Sequence, residues 1–206
     1  MPIARFLRVV AFQPSGLESP VDSALREAIM PRLLDCDEVI DAWIGRQSSP
    51  SDRTRVLAST WTAEPGPDLA DLDILRDAGP ADGPPIIDRV DHVALAVHAR
   101  FDRIEPARIL RVFRGTARAG ELNDYVAEAR NGMSADSEVN DGLIAFALGI
   151  EPPDSFITVS AWTGWSAIEA ATGGNTRRPF STRNAERLVD FRIVHYEILP
   201  ETPTRR

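Results

Sequence analysis

Ser59-Thr60-Trp61-Thr62 returns 101 residues later as Ser160-Ala161-Trp162-Thr163. Upstream, Arg5-Phe6-Leu7-Arg8-Val9-Val10 returns as Arg108-Ile109-Leu110-Arg111-Val112-Phe113 at a separation of 103. Downstream, Val90-Asp91-His92 returns as Val189-Asp190-Phe191 at 99. Three echoes in one order at nearly one period mark an internal duplication. The repeats divide the chain at 1–103 and 104–206.

Each repeat carries the same run of elements. A β-branched strand opens it, over Arg5 to Phe12 and Arg108 to Thr116. A helix follows. In the first repeat Ser19 suits an N-cap and Pro20 the first helical position, and Val21, Ala24, Leu25, Ala28 and Ile29 form one stripe. Pro31 is expected to kink or end that helix. In the second repeat Leu122, Tyr125, Val126 and Ala129 form the stripe, and Asn131-Gly132 is expected to stop it. Strands at Val39 to Ile44 and Leu143 to Leu148 precede the Trp strands. Short helices are expected near Asp68 to Arg76 and Trp165 to Ala171, and closing strands near Val90 to His98 and Val189 to Leu199. This β-α-β-β-α-β order is the ferredoxin-like motif, a sheet with helices on one face. The other face needs a cover, and the sister sheet is the simplest one, with a cavity between.

Strand alternation sorts the residues into two faces. Leu7, Val9, Ala58 and Thr60 match Leu110, Val112, Val159 and Ala161, a small and aliphatic set expected to pack on the helices. Arg8 and Trp61 match Arg111 and Trp162 on the mixed face, expected to look into the space between the sheets.

Composition limits the partners. The net charge is −8, with 31 acidic against 23 basic residues, which disfavours nucleic acid and anionic membrane surfaces. No run approaches the roughly 20 apolar residues that span a bilayer. The lone cysteine, Cys36, excludes an intramolecular disulfide, and its neighbours Asp35 and Asp37 should quiet its thiol. A cytoplasmic location follows by default. No His pair with a carboxylate has ligand spacing, so a metal site is not expected; no cofactor is expected either. Nucleotide-binding, serine-hydrolase and dithiol motifs are absent from the sequence.

A strand bearing Ser-Thr-Trp-Thr or Ser-Ala-Trp-Thr, with a short helix such as Trp165-Ser166-Ala167-Ile168-Glu169-Ala170 after it, resembles the antibiotic biosynthesis monooxygenase superfamily. The resemblance implies a dimeric α/β-barrel in tandem, fused form: an α+β chain of two ferredoxin-like repeats making what a dimer makes. It implies a cavity for an aromatic or polyketide-like molecule. Some members oxidise such molecules with dioxygen and no metal or flavin, and others degrade haem. Members often carry a His after the short helix, where this chain has Thr172-Gly173-Gly174 and Ala78-Gly79-Pro80. The haem-degrading branch uses an Asn on its first strand, and neither first strand here has one.

The expected function is therefore small-molecule binding, with cofactor-independent oxygenation of an aromatic ligand as its sharper form. The rivals are a catalytically silent barrel serving oligomerisation or protein contact, and a haem-binding barrel ligated by His98 or His195. Trp61 and Trp162 are an aromatic wall or core filler. Arg8 and Arg111 anchor a carboxylate or phenolate, or pair with acids of the chain. His98 and His195 are candidate general bases or hydrogen-bonded fillers. The segments 64–85 and 173–184 are lids or plain insertions. A monomer suffices for the pseudo-dimeric barrel, and a homodimer is compatible with it.

Overall fold

The computed structural model describes residues 3–14, 18–47, 53–66, 86–101, 106–139, 142–179 and 185–199. In chain order these form β1 (Phe6–Pro14), α1 (Glu18–Ala24), a π-helical turn (Leu25–Ile29), α2 (Met30–Leu34), β2 (Val39–Gln47), β3 (Arg55–Trp61), β4 (Ile86–Phe101), β5 (Ile109–Ala117), α3 (Leu122–Val139), β6 (Leu143–Glu151), β7 (Ser155–Trp162), α4 (Trp165–Thr172) and β8 (Leu188–Ile198). The short helix expected near Asp68 to Arg76 lies outside the described residues, as do most of 64–85 and part of 173–184. No described helix is long and apolar enough to cross a membrane.

Two compact units emerge: Met1–Val93 with Tyr196–Arg206, and Ala94–His195. The division falls inside β4 and inside β8, away from the repeat boundary at 103/104. Those strands are long, at 16 and 11 residues, against the five or six that a typical strand needs. Each has length enough to serve both units.

In the first unit the strand order is β4-β1-β3-β2, the ferredoxin-like order. Phe6 pairs with Trp61 and Arg8 with Ser59, while β2 joins β3 through a bulge between Val39 and Asp41. Beyond β2, Tyr196, Glu197 and Ile198 pair with Gln47, Arg46 and Gly45. Gly45 is required there, because a Cβ would lie 2.7 Å from the Tyr196 Cβ.

Of the expected stripe on the first helix, Val21, Leu25 and Ile29 are buried and Ala24 and Ala28 half-buried, and Met30 and Leu33 are buried beyond it. Pro31 does not end it. Proline has no N–H for the carbonyl four residues back, and the helix widens into a π turn where the Met30 N–H reaches the Leu25 carbonyl. Pro31 then occupies the first turn of α2, where a missing N–H costs little.

The second unit repeats this plan in the order β8-β5-β7-β6, with residues 95–101 of β4 beyond β6. The register is the same. Ile109 pairs with Trp162, Arg111 with Ser160, and β6 bulges between Leu143 and Ala145. The Arg5 N–H donates to the Trp61 carbonyl at 2.7 Å, and the Arg108 N–H to the Trp162 carbonyl at 2.7 Å. Helix α3 runs through Asn131-Gly132 to Val139 rather than stopping there. Gly132 faces open space, and one interior glycine costs a helix only about 1 kcal/mol.

The two faces are inverted relative to the expectation from the sequence. Trp61 packs with Val10, Phe12 and Leu57 against Leu25, Ile29 and Leu33 of the helical layer. Trp162 packs with Ile109, Phe113 and Phe156 against Leu122, Tyr125 and Ile168. The mixed face is therefore the helix-facing one. Its tryptophans fill the deep space under the helices, and each indole N–H bonds a serine on its own strand, from Trp61 to Ser59 and from Trp162 to Ser160, both at 2.8 Å. With its one polar atom satisfied locally, the ring is free to be buried. The small set, Leu7, Val9, Ala58, Thr60, Leu110, Val112, Val159 and Ala161, is buried on the opposite face.

Candidate functional site

The helix-facing side of each sheet carries a buried arginine opposite the serine of the Trp strand, Arg8 in one unit and Arg111 in the other, and the two have different surroundings. In the first unit Arg8 is 6% exposed and gripped by Asp91. Its Nε donates to Oδ1 at 3.1 Å and its Nη2 to Oδ2 at 2.5 Å, while Nη1 donates to the Gly66 carbonyl at 3.3 Å. Arg89 donates to the same carboxylate at 3.0 Å. Burial works to raise the Asp91 pKa, but the bonds and charges of Arg8 and then Arg89 outweigh it and leave it lowered. Asp91 is an anion at neutral pH, and Arg8 is an ion-paired residue.

In the second unit Arg111 is 1% exposed. Its Nη2 donates to the Arg178 carbonyl at 2.7 Å, and its guanidinium carbon lies 5.6 Å from the Phe113 ring centre. Burial pulls its pKa down to about 10, against the opposing influence of the Tyr125 phenol. Burial likewise pushes the Tyr125 pKa up despite Arg111, so the phenol keeps its proton. Tyr125 comes from α3 and stacks on Phe156 at 4.1 Å.

His195, on β8, completes the group. Burial, then the charges of Arg111 and Arg177, hold its pKa down to about 4. It is neutral throughout the physiological range, and its buried Nε2 has no hydrogen-bond partner among the described residues. The Trp165 ring, at the start of α4, leans on it with centres 5.0 Å apart. Trp165 is 37% exposed. A cation, a phenol, a neutral imidazole and a half-open aromatic surface thus share one side of one unit.

Two elements hold this group in place. Helix α4 lies close on Gly142, where a Cβ would stand 2.1 Å from the Ala167 Cβ, and that contact fixes the start of α4 and Trp165. Arg187, just before β8, bonds Glu121 at 3.3 Å and Glu128 at 3.0 Å and lies 3.6 Å from Asp124, tying α3 to the strand that carries His195.

Of the residues singled out in the sequence, Arg111, His195 and Trp162 belong to this unit, and Trp162 lies in the core beneath the group. Arg8 and Trp61 belong to the first unit. His98 pairs with Leu148 on β4, and its side chain lies outside the described residues. Tyr125 and Trp165 escaped the sequence reading as site residues. Tyr125 looked like one more apolar position on a stripe, and Trp165 like part of a motif; only its exposure marks it. Cys36 donates to Glu38 at 2.9 Å, and burial, then that bond, raise its pKa. Among the described residues no three His, Cys, Asp or Glu side chains form a group suited to a metal ion.

Neither a family model nor a curated protein matches the sequence. Solved structures do match the fold. A proposed monooxygenase from Fusobacterium nucleatum superposes with a TM-score of 0.72 at 8% identity, over 100% of this chain and 96% of its own. An anthrone oxidase-like protein superposes at 0.63 and 12% identity, over 98% and 93%. A ferredoxin-fold protein from Listeria monocytogenes, described as related to antibiotic biosynthesis monooxygenases, superposes at 0.56 and 10%, over 95% and 96%. The fold is α+β, two ferredoxin-like units of the dimeric α/β-barrel class in one chain.

Proposed function

We propose that the second unit binds a planar aromatic small molecule with an ionisable oxygen, and that it promotes oxygenation of that molecule without a resident cofactor. The observation that carries this reading is the meeting of buried Arg111, the Nε2 of neutral His195, which has no hydrogen-bond partner among the described residues, and the half-exposed ring of Trp165. Buried polar groups without partners are rare in folded proteins and concentrate where a ligand completes them.

The chemistry follows from the groups. A neutral imidazole can take a proton from a phenol or from the carbon beside a carbonyl. Arg111 then stabilises the anion in a site of low polarity, where a fixed cation acts strongly. The electron-rich anion reacts with dioxygen: a CH2 group becomes C=O, and the second oxygen atom leaves as water with the two hydrogens. An anion on Arg111 also neutralises one of the two charges that depress His195, so ligand binding raises the basicity of the imidazole that serves it. The neighbours described as a monooxygenase and as anthrone oxidase-like agree with such a role, as does the aromatic character of the site.

Native mass spectrometry before and after denaturation, with thermal shifts against hydroxy-aromatic compounds and an oxygen electrode, tests the proposal. A bound mass lost on denaturation, or a panel member that raises Tm in the native chain and not in Arg111→Met, supports binding; oxygen uptake with that compound supports turnover. A clean mass and no shift across the panel would favour the catalytically silent module. A Soret band on added haemin, lost in His195→Ala, would favour the haem-binding barrel.

A further inference from the structure

Strand β8 opens with a stretch exposed on both faces. Side chains alternate along a strand, so one packed on a single face buries every second residue. Val189, Asp190, Phe191 and Arg192 are all exposed instead, Val189 at 69% and Phe191 at 44%. Strand β5 flanks β8 on one side. On the other side, among the described residues, β2 pairs only with Tyr196, Glu197 and Ile198, and it ends at Gln47, opposite Tyr196. A strand edge that carries large apolar side chains is a template for another strand.

The order of residues says which strand fits. Val189-Asp190-Phe191-Arg192-Ile193 is self-complementary. Laid antiparallel on a copy of itself about a two-fold axis at Phe191, it sets Asp190 opposite Arg192, Val189 opposite Ile193, and the two Phe191 rings side by side. Opposite charges, aromatic pairs and apolar pairs directly across a ladder are what stabilise antiparallel strands. Neither Asp190 nor Arg192 has an ion pair among the described residues. The matched strand of the first unit differs on this point: Asp91, the echo of Asp190, is held by Arg8 and Arg89 of its own chain.

We infer that this stretch of β8 is where a second copy of the chain docks, as an antiparallel, two-fold symmetric strand pair centred on Phe191. The inference is independent of the proposed ligand site. The apolar residues of the stretch are already set in place, since Phe191 lies edge-on to Phe113 at 5.7 Å and Ile193 packs against the core, so little side-chain freedom is lost on docking. A two-fold contact closes on itself, and assembly stops at two copies. One strand per copy is a small contact, at the low end of those that join proteins, so the dimer is reversible and depends on concentration.

Sedimentation velocity on the full chain, from about 5 µM to about 0.3 mM, suits so small a contact. The native chain is expected to pass from monomer to dimer and to go no further. Asp190→Arg and Arg192→Asp each set like charges opposite one another twice per dimer, and each should weaken dimerisation at least about tenfold. The chain carrying both substitutions exchanges the two charges and should dimerise like the native one. Cross-linking reads the register. On a Cys36→Ser background, Phe191→Cys brings two thiols opposite each other at about 5 Å between Cα atoms, within disulfide reach, whereas Arg192→Cys sets them more than about 7 Å apart. Oxidation should link the first chain and not the second. A native chain that stays monomeric over the whole range, or that assembles past two copies, overturns the inference, as does a dimer indifferent to both single substitutions. An exchanged chain that fails to recover, or Arg192→Cys linking in preference to Phe191→Cys, overturns the two-fold register.

Discussion

The pair Asp22–Arg55 offers a direct test of which sheet face the helices cover. Arg55 is 1% exposed on β3, in phase with Leu57, Ser59 and Trp61. Its Nε donates to Asp22 Oδ1 on α1 at 2.6 Å, its Nη2 to Oδ2 at 3.3 Å, and its Nη1 to the Arg53 carbonyl at 3.0 Å. Asp22→Ala takes the Asp22 carboxylate away from that buried guanidinium, which should cost about 3–5 kcal/mol. With an m-value of about 2 kcal/mol/M in urea, the unfolding midpoint falls by about 1.5–2.5 M with no change in slope. Arg55→Met should cost less, about 1–2 kcal/mol, because the Asp22 side chain is 12% exposed and water can reach the carboxylate that remains. Asp22→Leu combined with Arg55→Met should recover most of the loss, since an apolar pair of similar volume avoids burying charge. Equilibrium urea unfolding followed by tryptophan fluorescence reads all four proteins. A midpoint shift below about 0.5 M for Asp22→Ala, or a double variant no better than Asp22→Ala, would refute the reasoning.

Asp41 is held protonated by burial, its pKa raised to about 7 despite the Ala42 N–H that bonds it. The folded chain therefore keeps a proton that the unfolded chain releases above about 4, and stability declines as pH climbs from about 4 to 7. Asp41→Asn should gain up to about 4 kcal/mol at pH 8 and almost nothing at pH 4 in parallel urea titrations; a gain independent of pH contradicts this. Arg111→Met should raise the His195 pKa from about 4, by removing one of the charges that depress it, as followed by the imidazole C2 proton in NMR; an unmoved or lower value separates the two residues. Gly142→Ala should destabilise by about 2–4 kcal/mol through collision with Ala167, and Ala167→Gly in the same chain should recover much of it, with the near-ultraviolet signal of Trp165 returning; no recovery would place the strain elsewhere.

Much of the fold was legible because duplication supplies its own alignment. The Trp motif, the first strands and the bulged partners sit where the echo places them, down to matching hydrogen bonds at Trp61 and Trp162. Which face the helices cover was not legible. Alternation says that Arg8 and Trp61 share a side, and it is silent on which side that is; the size of the tryptophans suited either reading. The end of α3 was misjudged, since Gly132 breaks isolated helices more readily than packed ones, while at Pro31, where a kink or an end was expected, the helix continues through a π turn. At the site, Arg111 and His195 were named as types fit for anion binding and proton transfer. Their company was hidden, because Tyr125, Trp165 and Arg177 join them from separate stretches of chain. Asp91 was visible as part of an echo, and only its reach to Arg8 reveals what it does.

The division of the chain also bears on how it is made. The second unit is one uninterrupted stretch, Ala94–His195, while the first is discontinuous and takes in Tyr196–Arg206. Leu199 lies in the first unit's core, and its N–H donates to the Ile44 carbonyl at 3.0 Å. A ribosome therefore delivers everything the later unit needs before it delivers the last strand of the earlier one. The unit translated first is the one finished last.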